Sequence, residues 1–89
     1  MKISNDFMMR DIAGEKIVVP TGAAAELNAL ITLNEVAAFM WECLQTDRTP
    51  EEVGQMVLKE YDVDEETVKR DVDNFISALR YFGMLEEQK

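Results

Sequence analysis

Leu33-Asn34-Glu35-Val36-Ala37-Ala38-Phe39-Met40-Trp41, Thr49-Pro50-Glu51-Glu52-Val53 and Asp64-Glu65-Glu66-Thr67-Val68 are three helix starts set one after another. Asn34, Thr49 and Asp64 each offer a side-chain oxygen to the unpaired N–H groups of a first turn. Pro50 suits the first helical position, and Glu52 completes a capping box with Thr49. These starts predict helices over residues 34–45, 50–61 and 65–82, the last stopped by Gly83 in a left-handed conformation. None of the three carries a residue poised for catalysis.

Upstream the pattern changes to strands. Phe7-Met8-Met9-Arg10-Asp11-Ile12 and Lys16-Ile17-Val18-Val19-Pro20 flank a short loop containing Gly14, as a hairpin requires. Pro20-Thr21-Gly22 reads as a turn. From residue 25 to 33 the chain can alternate, with Leu27, Ala29, Ile31 and Leu33 on one face and Asn28, Leu30 and Thr32 on the other. The Ala23-Ala24-Ala25 run equally suits a helical turn, which leaves the start of that strand open. The expected fold class is α+β: a three-stranded antiparallel sheet followed by three helices, winged-helix-like, as one domain over residues 1–89.

Composition narrows the chemistry. The 89 residues include no histidine, so the commonest general base and the commonest metal ligand are both missing. Cys43 is the only cysteine, which excludes an intrachain disulfide and a cysteine-based zinc site. Amid Phe39, Met40, Trp41 and Leu44 it reads as a small buried hydrophobe, and Trp41 reads as a core anchor. The N-terminus lacks the apolar run of a signal peptide, and no apolar segment reaches the roughly 20 residues needed to span a bilayer. A cytoplasmic location is expected. Acids outnumber bases 18 to 9, for a net charge of −9, and the excess is concentrated between Glu51 and Glu66. Such a surface repels phosphate backbones and anionic lipids, so neither nucleic acid nor membrane is an expected partner.

Searches for reactive constellations end without one. The four glycines are scattered rather than gathered into a phosphate loop. Asp64-Glu65-Glu66 lacks the spacing of a calcium loop and reads as first-turn acids favoured by the helix dipole. Asp71 and Asp73 point about 160° apart on a helix and cannot act as a carboxylate pair. No catalytic residue, metal site or cofactor is therefore expected, and the chain is read as a non-enzyme. The last helix stacks Val68, Val72, Phe75, Leu79 and Phe82 in a narrow arc that reads as core. On its flank, about 80° from Val68, lies Ile76, with Lys69 and Arg80 close by and Asp73 slightly beyond. The flank is either a recognition edge, an aliphatic residue between two cations, or an ordinary helix border whose long stems cover the core margin. A winged-helix DNA regulator is the alternative function, but Asp71 and Asp73 interrupt the Lys69, Arg70, Asn74 and Arg80 face that would enter a groove.

Taken in order, these segments resemble the coenzyme PQQ synthesis protein D family, the PqqD-like peptide-recognition domains. The resemblance is carried by Leu33-Asn34 with Ala37 and Trp41, by Thr49-Pro50-Glu51-Glu52-Val53, by Tyr61-Asp62-Val63-Asp64, and by Val68-Lys69-Arg70-Asp71-Val72 with Phe75, Leu79 and Phe82-Gly83-Met84-Leu85. Gln45-Thr46-Asp47-Arg48 departs from the glycine the family commonly has between its first two helices. The resemblance implies a domain that captures the leader segment of a ribosomally made precursor peptide and presents it to a modifying enzyme, often a radical SAM enzyme. It further implies that the peptide adds as a strand to the free edge of the third strand, with the third helix walling the groove. The expected peptide-binding residues are Leu27, Asn28, Ala29, Leu30, Ile31 and Thr32 on the strand, and Lys69, Val72, Asp73, Ile76 and Arg80 on the helix. An unpaired edge is also a template for a second copy, and the Pro20-Thr21-Gly22 turn permits hairpin exchange, so a weak or domain-swapped homodimer is expected.

Overall fold

A computed structural model describes residues 1–21 and 31–87. The element order is β1 (Lys2–Ile3), β2 (Phe7–Ile12), β3 (Glu15–Pro20), β4 (Ile31–Leu33), α1 (Glu35–Cys43), α2 (Pro50–Glu60), α3 (Glu65–Tyr81) and β5 (Leu85–Glu86). Strands β2, β3 and β4 form an antiparallel sheet in that order, and the three helices follow it. The fold is α+β, as the segment order implies.

The hairpin is tighter than the sequence indicates. Glu15 belongs to the strand and pairs with Ile12, so only Ala13 and Gly14 form the loop. Both adopt left-handed backbone angles, φ 54° and 85°, which matches the twist of the strands on either side. Alternation then sorts the sheet. Phe7, Val18 and Leu33 face inward and are buried, while Met8, Arg10, Ile12 and Thr32 are exposed.

Each helix begins as its cap dictates. The Asn34 side chain accepts the Ala37 N–H at 2.8 Å. Thr49 Oγ1 accepts the Glu52 N–H at 3.2 Å while Glu52 Oε1 accepts the Thr49 N–H at 2.9 Å, closing the capping box. Asp64 accepts from both the backbone and the hydroxyl of Thr67. Gly83, at φ 69°, ends α3: its N–H donates to Arg80 and that of Met84 to Leu79, at 3.0 and 2.8 Å. These two bonds make a Schellman motif and satisfy carbonyls that the last turn leaves open.

The core gathers Val18, Trp41, Leu44, Val53, Val57 and Met84, all nearly or fully buried. Cys43 lies in it too, and burial pushes its thiol pKa up. Two features depart from the sequence reading. First, β1 pairs antiparallel with β5, Lys2 opposite Glu86 and Ile3 opposite Leu85, bringing Ile3 into the core. Two-residue strands carry no periodic signal, so nothing local announced them. Second, the buried face of α3 is rotated from the expected arc. Ile76 is 3% exposed alongside Val68, Val72 and Leu79, whereas Phe82 is 46% exposed. α2 is the main packing partner of α3, and its buried Val53 and Val57 share one core cluster with Ile76.

Candidate functional site

Among the described residues the sheet ends at β4. Its register with β3 sets Ile31 opposite Val18, Thr32 opposite Ile17 and Leu33 opposite Lys16. Among the described residues no strand lies beyond it. One row of β4 backbone N–H and C=O groups therefore points away from β3, the arrangement an incoming extended chain can complete. Thr32 is exposed, Ile31 half-buried and Leu33 buried, so the strand offers both a polar and an apolar side to such a chain.

The expected site residues fall in several places. Leu27, Asn28, Ala29 and Leu30 lie outside the described residues, while Ile31 and Thr32 sit on the β4 edge. Lys69, Val72 and Asp73 line a groove of about 330 Å³ between α2 and α3, floored also by Gly54, Leu58 and Val68. A methyl group at Gly54 would stand 3.8 Å from Val68, so the helices approach closely there. Val72 is itself buried at 3% exposure.

Of the flank that the sequence left open between a recognition edge and an ordinary helix border, Ile76 itself packs inward at 3% exposure and belongs to the core. Arg80 is exposed but engaged, with Nη2 and Nε donating to Glu87 Oε1 at 2.6 and 3.0 Å. That pairing holds the Glu87 carboxyl below its ordinary pKa and the Arg80 guanidinium above its own. Lys69 faces the α2 groove.

A second concavity, about 460 Å³, was not visible in the sequence. It opens where the hairpin tip, the end of β4, α1 and the end of α2 converge. Its walls are Leu33, Ala38, Phe39 and Tyr61, and its charged rim is Glu15, Lys16, Glu35 and Glu42. Phe39 and Tyr61 meet edge to face, ring centroids 5.5 Å apart. Lys16 donates to Asp11 across the hairpin at 2.8 Å. Burial raises the pKa of the Tyr61 hydroxyl, with Glu35, Glu60 and Glu42 adding to the rise. These residues come from four elements far apart in the chain, and none of them forms a motif. Among the described residues no group of three or more His, Cys, Asp or Glu side chains could hold a metal ion. No helix there is long and apolar enough to cross a membrane.

Comparisons with known proteins give the arrangement a context. The family model for coenzyme PQQ synthesis protein D matches residues 15–85. Two solved structures are similar over nearly their whole length. "TbiB1 in Complex with the TbiA(beta) Leader Peptide" is 29% identical with a TM-score of 0.79, covering 100% of this chain and 99% of that one. "Lasso peptide synthetase B1 complexed with the leader peptide" has a TM-score of 0.76 and covers 97% of this chain and 96% of that one. At 19% identity, the second likeness bears on the fold alone. No curated protein matches the sequence.

Proposed function

This chain belongs to the coenzyme PQQ synthesis protein D family, and we propose that it is a non-catalytic, leader-peptide-binding accessory protein. It captures the leader segment of a ribosomally made precursor and delivers it to a peptide-modifying enzyme, a radical SAM enzyme in the first instance. The observation that carries this reading is the uncompleted edge of β4. The TbiB1 leader-peptide complex, similar over the full chain, supports it.

Physically, strand addition suits the task. Main-chain hydrogen bonds read extended backbone irrespective of sequence, and the side-chain surroundings supply selectivity. The surroundings on offer at the described end of β4 are the Thr32 side, open to solvent, and the Leu33 side, set on the core. Cargo and enzyme can then be exchanged without a reactive group on the carrier.

The test is calorimetric titration with leader peptides of ribosomally made precursors from the same genome. The parent should bind with a 1:1 stoichiometry. The β3 pairing leaves the Thr32 backbone N–H pointing outward, so Thr32→Pro removes a donor on the docking edge and should weaken binding, provided the variant keeps its circular dichroism spectrum. A folded Thr32→Pro protein that binds the leader like the parent would place the docking edge elsewhere.

A further inference from the structure

We propose that the concavity between the hairpin tip and α1 accepts a single basic side chain, arginine or lysine, carried by the polypeptide that pairs with β4. The proposal deepens the leader-binding reading and rests on it for the identity of the carrier. Its own chemistry rests on the concavity.

The lining is partly apolar and aromatic, Leu33, Ala38, Phe39 and Tyr61, together with charged side chains. A long aliphatic stem can cover such walls while its charged head stays at the rim. The rim carries three carboxylates, Glu15, Glu35 and Glu42, against one ammonium, Lys16, whose charge is already shared with Asp11 at 2.8 Å. The surplus is therefore negative at the mouth of an aromatic cleft. Phe39 and Tyr61 add the negative ring faces to which cations are drawn. Burial, with smaller additions from Glu35, Glu60 and Glu42, raises the pKa of the Tyr61 hydroxyl. An acidic side chain is repelled by this arrangement. A purely apolar one fills the walls and leaves the rim charges without a partner.

Continuity fixes where the side chain comes from. Thr32 and Leu33 belong both to the docking strand and to the lining of the concavity. The concavity therefore adjoins the strand with which a docked chain would pair, so a long basic side chain of that chain is its proposed occupant. The volume lies toward the small end of the roughly 300–1,000 Å³ of ligand pockets, which suits one side chain rather than a segment.

The test uses the intact protein and a defined probe, Nα-acetyl-arginine methylamide, followed through backbone amide shifts. Saturable shifts are expected at Lys16, Phe39, Glu42 and Tyr61, and they should diminish as salt screens the rim. The neutral isostere Nα-acetyl-citrulline methylamide should require about tenfold more ligand or give no response. Glu35→Gln combined with Glu42→Gln should lose the arginine response, and both positions are exposed, so the fold is expected to survive. Leader peptide added to saturation should displace the arginine probe. Equal responses to arginine and citrulline, shifts scattered away from the four residues, or no arginine response at all would overturn the proposal. So would a double variant that binds like the parent, or a leader-saturated protein that still takes the probe. A leader peptide N-methylated at its backbone amides lacks the ladder donors and should bind weakly, while the arginine probe needs no ladder and should respond as before, so failure of strand addition and failure of this concavity are read separately.

Discussion

Phe39 on α1 and Tyr61 at the end of α2 meet edge to face, with ring planes at 86° and centroids 5.5 Å apart. The contact links two helices that share an apolar seam, and it fixes one wall of the concavity beside the hairpin. Aromatic pairs of this geometry contribute about 0.5–1.5 kcal/mol beyond the area they bury. A double-mutant cycle with Phe39→Leu and Tyr61→Leu should return a coupling energy of that size in urea denaturation. Additive effects of the two single changes would show that the rings are neighbours without mutual stabilisation.

The rotation of α3 makes opposite demands on two large apolar residues. Ile76→Ala removes a buried side chain and should destabilise the fold by about 2–5 kcal/mol. Phe82→Ala removes one that is 46% exposed and should cost less than about 2 kcal/mol. Denaturant midpoints of the two variants check the orientation directly. Were Phe82→Ala the costlier change, the helix would be turned toward the arc read from its sequence.

At the hairpin, Ala13 holds φ 54° with a Cβ that the left-handed region disfavours. Asparagine tolerates this conformation, and Asn-Gly is the preferred pair for a two-residue loop of positive φ. Ala13→Asn is expected to raise stability by about 1 kcal/mol. Thermal denaturation should register it as an upward shift of the midpoint. An unchanged or lower midpoint would mean that the loop is not held in this form.

Stability should follow pH through the cap of α3 and the pair on the hairpin. The Thr67 hydroxyl and backbone N–H, both donating to Asp64, hold its pKa below the ordinary 3.8. A depressed carboxylate contributes stability above its unfolded pKa and loses it as pH falls through the folded one. The denaturant midpoint of the parent should therefore decline below pH 3.8, and Asp64→Asn should show a shallower decline. Lys16 has the opposite sign: its hydrogen bond to Asp11, reinforced by the Asp11 charge, raises its pKa above 10.5. That contribution is complete below 10.5 and is lost as pH rises through the raised value, so Lys16→Met should flatten the alkaline limb.

Much of the scaffold was legible because its signals are local. Thr49, Pro50 and Glu52 satisfy the open N–H groups of α2 within four residues, and Gly83 closes α3 within five. Alternation likewise set Leu33 and Thr32 on opposite faces, and in the structure Leu33 is buried and Thr32 exposed, since successive strand residues point to opposite faces. The edge residues Ile31 and Thr32 could be named from that pattern.

What the sequence alone determined was therefore the three strands of the main sheet and the three helices, their order, and the absence of histidine from any site. Only the tertiary structure decided which side of α3 is core. Both Ile76 and Phe82 border the same apolar stripe, and nothing within the helix says which neighbour will arrive. The assembled core, which takes in Ile76 together with Val53 and Val57 of α2, settles it. The pairing of Lys2–Ile3 with Leu85–Glu86, and the meeting of Glu15, Glu35, Glu42, Phe39 and Tyr61 around one concavity, have the same cause. They join residues that periodicity cannot relate, because their distances are fixed by packing between elements rather than by geometry within one.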